Sequence, residues 1–295
     1  MKRRFILTIT LLLIIARIVD AQTASFVNFP TSAKDAAMGN VNNYGSSILF
    51  SDNRLDLSAT YLMWQPSSSN NSMIHAGGSF MVGKNIGILA GVRYNMLEKY
   101  YPTDENGNMG DAFSPSEYGI NLGLAYKIGD SFGLSVQGKY IGSKLADANS
   151  GTAFAGDVDF QYMKNNLKVS AGVGNMGSKL DYGSGGYALP SRIKFGVGYD
   201  YSMDDKNRLS AAMNAAYQLP EEVSGIIIGV GGEYTYNNML SIRAGYSYAD
   251  AKRVHPGYLS VGAGVHFSGL YIDLSYFVAS FPMKNTLLFT LGYRL

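Results

Sequence analysis

The chain has 295 residues, a formal net charge of +2, and a composition that is 46% hydrophobic, 13% aromatic and 16% charged. Because average chains carry roughly 25% charged residues, this composition does not suit an ordinary soluble domain, and the small net charge gives no reason to expect nucleic acid as a partner. The absence of cysteine excludes disulfides and thiolate metal sites. The 35 glycines and 22 tyrosines instead favour a β-barrel with an aromatic belt.

The beginning of the chain has the pattern of a secretory signal peptide. Three basic residues at positions 2–4 precede the apolar run Phe5–Ala16, and the predicted cleavage site follows Ala21. Residues 1–21 are therefore predicted to be a signal peptide. Because no later apolar run is long enough for a transmembrane helix, we expect either a secreted β-protein or an outer-membrane barrel.

The next segment, residues 22–54, lacks the long alternation of apolar and polar residues that follows it. Its small residues, such as Ala36 and Ala37, favour close packing, and the stretch could form one helical turn or a coil. A segment that precedes a barrel can hang in the periplasm or enter the lumen. We predict that it plugs the lumen, with Met38 and Gly39 among its packed residues.

From residue 55 to residue 295 the chain alternates with a period of two, as strands do. The clearest example lies in Phe132–Tyr140, where Leu134 and Val136 share one face and Ser135 and Gln137 share the other. Fourteen such segments can be counted, an even number, as bacterial barrels require. In chain order they cover 57–64, 73–82, 86–95, 118–126, 132–140, 154–162, 167–175, 192–201, 208–218, 226–234, 240–248, 259–267, 272–276 and 286–295.

The last of these segments, residues 286–295, is predicted to close the barrel. Phe289, Leu291 and Tyr293 lie on its apolar face, and a barrel in lipid must pair its last strand with its first to leave no open edge. Short Asn, Asp or Gly turns follow the even-numbered segments and generally longer loops follow the odd-numbered ones, which is the asymmetry of outer-membrane barrels. We therefore predict an all-β, fourteen-stranded antiparallel transmembrane barrel with both termini in the periplasm.

Charged residues inside the segments fall almost wholly on the face opposite the aliphatic residues. A basic side chain that faced lipid at mid-depth would cost roughly 2–4 kcal/mol, so these residues are predicted to line the lumen. Their mixed signs favour internal ion pairs in a filled lumen rather than a selectivity ring, and glycines on the same face leave room for other backbone. The predicted lumenal residues include Arg93, Lys139, Asp157, Asp159, Arg192, Glu233, Arg243 and Asp273.

No catalytic constellation stands out in the sequence. The three histidines, His75, His255 and His266, are not part of a nucleophile elbow or an HExxH helix. Acidic residues in the loops 98–115 and 145–151 could bind calcium, although solvated loop charge explains them more simply. We predict that the protein is not an enzyme and has no cofactor or metal site.

Several short stretches resemble the PorV/PorQ family of type IX secretion proteins, which belongs to the broader FadL-like, fourteen-stranded outer-membrane barrels. The stretches follow in chain order at Val27–Gly39, Asn106–Phe113, Leu189–Gly196, Glu233-Tyr234 and Ser241–Tyr246. The Asn-Pro-Ala signature common after the N-terminal segment is replaced here by Ser51-Asp52-Asn53-Arg54.

This resemblance implies a non-enzymatic barrel in the outer membrane of a Gram-negative (diderm) bacterium. Such a protein would sit in outer-membrane lipid and act as an adaptor that binds translocon, cargo or surface-attachment proteins through its outer loops. By position, the candidate partner-binding residues are Tyr100, Tyr101, Pro102 and Phe113, and loop 178–190 is a second candidate.

Two other transport functions remain open on the sequence alone. A FadL-type channel for hydrophobic small molecules would need an apolar pocket and a lateral opening or a strand kink. A general porin would need an open lumen. The polar, glycine-rich lumen predicted above favours the adaptor over both.

Overall fold

The computed structural model describes residues 24–41, 47–64, 71–104, 106–146, 149–183, 185–219, 224–250, 254–280 and 283–295. The predicted signal peptide lies outside the described residues. The fold is a barrel of fourteen antiparallel strands. They are β1 (Leu55–Met63), β2 (Ser72–Val82), β3 (Ile86–Met96), β4 (Ser116–Ile128), β5 (Phe132–Ala146), β6 (Asn149–Lys164), β7 (Leu167–Gly177), β8 (Arg192–Ser202), β9 (Asn207–Gln218), β10 (Gly225–Tyr236), β11 (Leu240–Ala249), β12 (Tyr258–Phe267), β13 (Leu270–Ala279) and β14 (Leu287–Arg294).

The barrel is closed because β14 pairs with β1 as well as with β13. Thr60 lies opposite Thr290 and Leu62 lies opposite Leu288 across this junction, which we call the closing seam. The fourteen-stranded antiparallel barrel and the closing role of the last strand are thus confirmed. Closure leaves no strand edge without hydrogen-bond partners.

The two faces of each strand differ as the alternation predicts. The outward face is apolar, with Leu122 and Phe154 each 66% exposed and Val136 52% exposed. Its neighbour Ser135, on the other face, is only 1% exposed. An apolar exterior of this extent suits lipid rather than water.

The two ends of the barrel also differ. Tight turns such as Gly83–Asn85, with Gly83 at φ +74, and Asn237–Met239 connect the strands at one end, which we call the short-turn end. The C-terminal Leu295 lies there, hydrogen-bonded to Leu55. The opposite, long-loop end carries the connections after odd-numbered strands. These connections are generally long. The one after β5 is short, because β5 ends at Ala146 and β6 begins at Asn149.

The N-terminal segment contains one short α-helix, α1 (Ala33–Ala37), between two 3-10 turns, Ser25–Asn28 and Ser47–Phe50. The helix begins after Ser32, whose hydroxyl accepts from the backbone N–H of Asp35 at 3.1 Å and donates to its carboxylate at 2.8 Å, as N-cap residues do. Among the described residues, no helix is both long and apolar enough to cross a membrane.

The facing of β5 can be tested with two neighbouring substitutions. Val136→Arg would place a cation on the apolar exterior, at a cost of about 2–4 kcal/mol at mid-bilayer, and should strongly reduce the folded fraction. Gln137→Arg, which faces the lumen, should be tolerated far better. Heat-modifiable gel mobility measures the folded fraction, and equal tolerance of the two variants would contradict the facing.

Candidate functional site

The N-terminal segment lies against the inner wall, beginning at the long-loop end. Ala24 and Phe26 are buried there in one apolar cluster with Ile141, Leu180 and Leu189. Ile141 lies near the end of β5, and the other two belong to loop 178–191. Ala24 is therefore at the opposite end of the barrel from Leu295, and the placement of both termini in the periplasm stays a prediction. The residues before position 24 lie outside the described part of the chain.

A second apolar cluster fills the long-loop end beside the closing seam. Ala33 and Ala36 of α1 pack there with Leu62 and Leu288. The ring of Phe29 lies 4.5 Å from that of Trp64, centroid to centroid. A third cluster, at the short-turn end, joins the 3-10 turn Ser47–Phe50 to the strands. Its members are Ile48, Leu49, Met81, Leu89 and Ala125. Contacts between the segment and the wall therefore occur at both ends.

Backbone of the segment approaches the wall where the wall residues are glycines. A Cβ atom on Gly231 would lie 2.3 Å from the carbonyl oxygen of Met38, and one on Gly245 would lie 2.2 Å from the nitrogen of Gly39. Gly39 itself has φ +75 and would collide with the carbonyl oxygens of Val230 and Tyr246 if it carried a side chain. These contacts bring Met38 and Gly39 onto β10 and β11, on the face where the sequence predicts room for backbone.

An ion network fastens α1 to the wall. Glu233 binds Lys34 at 2.9 Å and also pairs with Arg243. Arg243 in turn binds Asp273 at 2.6 Å. Glu233, Arg243 and Asp273 are all less than 5% exposed, so each buried charge requires its partner. The three strand residues match the predicted lumenal set, but Lys34 carries no signal in the alternating pattern.

A second ion group lies on β5, β6 and β8. Lys139 binds Asp157 at 2.7 Å, and Lys194 binds Asp159 at 2.7 Å. These pairs also agree with the predicted interior of mixed charge. Arg93 is different, because its guanidinium donates to the backbone carbonyls of Phe26 and Val27 at 2.9 and 2.8 Å.

A bulge at Asn175 joins four parts of the molecule. The register of β6 and β7 shifts between Gly156 and Val158, and Asn175 has φ +56. Its amide group donates to Asn28 of the segment at 2.8 Å and to the carbonyl of Pro190 at 3.2 Å, while its oxygen accepts from Lys139 at 2.8 Å. The bulge therefore fixes the segment and loop 178–191 together. Loop 178–190, the second candidate for partner binding, is in part folded against the interior.

The remaining lumen contains a polar cavity of about 300 Å³ beneath the segment. Arg93, Arg192, Lys139 and Asp157 border it on one side, and Asp273 borders it on another. All the predicted strand residues of the lumen therefore line this cavity or the ion network above it. The cavity itself offers a solute hydrogen bonds and charge rather than an apolar pocket.

An apolar groove of about 810 Å³ lies on the outer face of β13, β14 and β1 to β4, directly outside the cavity. Five residues border both spaces: Ser58, Gly77, Gly78, Ala90 and Asn121. Across the sheet, the inward row reads Ser58, Gly77, Gly91 and Asn121. The wall is thin at this place because this row contributes little side-chain volume.

The four predicted partner-binding residues lie on a ribbon that extends β3 and β4 at the long-loop end. Tyr100 pairs with Phe113 in a bridge, and their rings meet edge to face at 5.8 Å. Phe113 is thus half-buried by its own ribbon. Tyr101 is 49% exposed, and Pro102 is exposed beside it.

The histidines do not form a site. His75 lies in the cavity wall, His255 lies in a loop, and His266 is 3.6 Å from Asp273. No group of three or more histidine and acidic residues within the described ranges is arranged to hold a metal ion.

Comparison with known proteins finds solved barrels of the same fold. No protein-family model and no curated protein matches the chain. The toluene transporter TodX of P. putida has a TM-score of 0.62 at 13% identity, with 90% of this chain and 99% of that chain covered. The CymD monoaromatic hydrocarbon channel has a TM-score of 0.62 at 11% identity, with 93% and 98% covered. The Ralstonia pickettii toluene transporter TbuX has a TM-score of 0.58 at 12% identity, with 91% and 99% covered.

This chain has the fold of these barrels. The barrel fold expected from the sequence resemblance is thereby confirmed, whereas none of the comparisons supports the PorV/PorQ family in particular. At such low identity the likeness concerns the fold alone.

Sequence reasoning missed the polar residues that hold the segment in place. Asn28 and Asn175 lie in stretches where Asn is common in turns, and Thr290 reads as an ordinary inward position. The sequence alone leaves the facing of the strand that holds Thr60 ambiguous. Lys34 lies outside every predicted strand. Periodicity marks which face a residue occupies, but it does not mark which residue across the lumen it binds.

The glycine contact can be tested by adding a side chain on each face. Gly245→Val would occupy the space of the Gly39 backbone and should displace the segment, whereas Gly138→Val faces open space. Because the chain has no cysteine, a single cysteine at Val27 reports exposure through its maleimide labelling rate. Labelling should accelerate in Gly245→Val only; equal rates in both variants would count against the contact.

Burial raises the pKa of Asp35 to about 6, although its hydrogen bond with Ser32 opposes the shift. Lys34, Arg243 and Asp273 also act on it. Because the pKa of Asp35 is higher in the folded state than in the unfolded state, the contribution of this residue to stability falls as pH rises from about 4 to about 6. The Asp35→Asn variant has no carboxyl that titrates at this position, so it does not lose this stability.

The melting temperature of Asp35→Asn minus that of the wild type should therefore be larger at pH 7 than at pH 4. The difference isolates Asp35 from the other groups that titrate. The matched variant Asp204→Asn, in an exposed turn, should not show this increase. A difference for Asp35→Asn that does not change with pH would mean that its carboxyl is not destabilised by burial.

Proposed function

We propose that this chain is an outer-membrane barrel of a Gram-negative bacterium that passes small hydrophobic molecules through its wall into the lipid. The short-turn end would face the periplasm, as in other barrels with this loop asymmetry. Solutes would enter at the long-loop end, beside the apolar clusters around Phe26 and Phe29. The N-terminal segment would act as a plug that keeps water and polar solutes from passing straight through.

The observation that carries this proposal is the thin wall between the cavity and the outer groove. Ser58, Gly77 and Asn121 face the inside, and Ala59, Ala76 and Ala90 face the groove, with few bulky side chains between them. A hydrophobic molecule that leaves here enters lipid directly. The names of the barrels with the same fold, as toluene transporters and a monoaromatic hydrocarbon channel, support this function over a general porin.

The polar cavity distinguishes this barrel from a simple apolar conduit. Burial of a wholly apolar solute beside Arg93 and Lys139 would compete with their hydrogen bonds. We therefore place the route along the uncharged inward row Ser58, Gly77 and Gly91, away from the ion pairs of β5, β6 and β8.

Filling the groove tests this route. The double substitution Ala76→Phe and Ala90→Phe should lower toluene uptake by proteoliposomes to the level of protein-free vesicles, because both side chains occupy the exit. Gly138→Phe, on the outward face of β5 with open space around it, is the matched control and should leave uptake unchanged. Normal uptake by the double variant would exclude an exit at this wall.

The exposed ribbon favours a second candidate function, the adaptor. Tyr101 is 49% and Met109 73% exposed, yet both lie on a ribbon fixed by the Tyr100–Phe113 and Thr103–Met109 bridges. Exposed aromatic residues on a rigid support are typical of protein-binding hot spots. We infer that, if a protein of the secretion or surface-attachment machinery binds this barrel, it binds here.

The adaptor can be tested by purification in mild detergent. A stoichiometric protein partner should co-elute with the wild type and be lost from Tyr101→Ala/Met109→Ala, while Tyr187→Ala, an exposed tyrosine of the neighbouring loop, should retain it. A partner that survives the double substitution binds elsewhere. Toluene uptake measured on the same preparations separates this function from transport.

A further inference from the structure

The inner face of the closing seam is covered along much of its length by the N-terminal segment. Asp56 and Arg294 form an ion pair at 2.9 Å near the short-turn end of the seam. Thr60 and Thr290 follow in the middle, and Leu62 and Leu288 lie toward the long-loop end. Residues 31–36 of the segment contact the last two of these pairs.

A continuous chain of hydrogen bonds crosses the seam at its centre. The backbone N–H of Ala33 donates to the Thr290 hydroxyl at 2.8 Å, and the two threonine hydroxyls lie 2.8 Å apart. The Thr60 hydroxyl donates to the carbonyl of Thr31 at 2.8 Å. Because a carbonyl can only accept, the Thr60 proton is committed to Thr31, and Thr290 must donate to Thr60. Every member of the chain is satisfied only when the segment is present.

Because both threonines are buried, the loss of these hydrogen bonds would be costly. Thr60 is 2% exposed and Thr290 is 0% exposed. Without the segment, each of these two hydroxyls would lose one of its two hydrogen-bond partners. Ala33 and Ala36, both 0% exposed, also cover Leu62 and Leu288, so the same segment removes apolar seam surface from the lumen.

The last strand also has the least pairing to hold it. β14 is eight residues long, the shortest strand of the barrel. Its ladders contain eight residue pairs with β1 and seven with β13, whereas β4 and β5 share thirteen. A bond that bridges β1 and β14 from the inside therefore acts on the barrel strand that its two ladders hold with the fewest residue pairs.

We infer that the N-terminal segment is a clamp for barrel closure: residues Thr31–Ala36 hold β1 and β14 together through Thr60 and Thr290. This assembly function is independent of the transport proposed above and of whether the segment blocks solutes. A segment that only plugs the lumen would have no effect on the seam when it is loosened, whereas a clamp would.

The first test changes the segment and leaves the seam strands intact. Ala33→Pro removes the N–H that binds Thr290, at the first helical position, where proline is well tolerated by the helix itself. Amide hydrogen exchange in the full chain, read by mass spectrometry on the folded fraction, should rise about tenfold or more in peptides of β1 and β14. Faster exchange in residues 31–36 with unchanged β1 and β14 would overturn the clamp.

The second test changes the seam and has an internal control. Thr60→Val/Thr290→Val removes the bridging hydroxyls. Thr235→Val/Ser241→Ala removes a buried hydroxyl pair of the same kind, 3.1 Å apart and directly opposed on β10 and β11. Among the described residues, no hydrogen bond joins that pair to the segment, so the control variant reports the local cost of losing two hydroxyls.

The clamp predicts an asymmetric result. The seam variant should deprotect β1, β14 and residues 31–36 together, and by a larger factor than the control variant deprotects β10 and β11. Equal factors in the two variants would show that the seam hydroxyls act only locally, and would overturn the inference even if Ala33→Pro could not be recovered as a folded barrel.

Discussion

Closure of the sheet at β1 and β14 is the constraint on which the rest of the molecule depends. A strand edge open to lipid leaves backbone groups without partners, each at a cost of several kcal/mol. The chain meets this constraint with its shortest strand, whose outward residues Phe289 and Leu291 face lipid while Thr290 faces the segment. The seam thus joins the first and last strands in sequence, and the N-terminal segment is hydrogen-bonded to both of them.

Once the barrel is closed, its charged residues have only the lumen to occupy. They cannot remain there singly, because a buried charge without a partner is strongly destabilising. The structure pairs Arg243 with Glu233 and Asp273, and Lys139 with Asp157. The segment takes part in the same arrangement through Lys34. The segment that packs in the lumen therefore also helps to neutralise the lumenal charges, and the glycines of β10 and β11 leave space for its backbone.

The arrangement of the lumenal residues is relevant to the transport function proposed above. The hydrocarbon transporters share the fold, but the interior of this barrel is occupied by polar bonds on the β5 to β8 side. The β1 to β3 side is different, because its inward row is built from Ser58, Gly77 and Gly91. The wall beside this row is thin, although Arg93 of β3 and the ion pair of Asp56 with Arg294 lie on the same side of the lumen. The lateral route proposed above would cross the wall at this place.

The sequence by itself determined the strands, their number, their facing and the closing role of the last one. Each depends on a local period of two that needs no knowledge of partners, and the inward positions of Glu233 and Asp273 follow from the cost of charge in lipid. Only the tertiary structure decided which residues meet across the lumen. Lys34, Asn175, Thr60 and Thr290 join elements distant in the chain, and nothing in their own neighbourhood marks those partners. Closure of the barrel brings them within hydrogen-bond distance, so their pairing is a property of the closed fold and not of any segment alone.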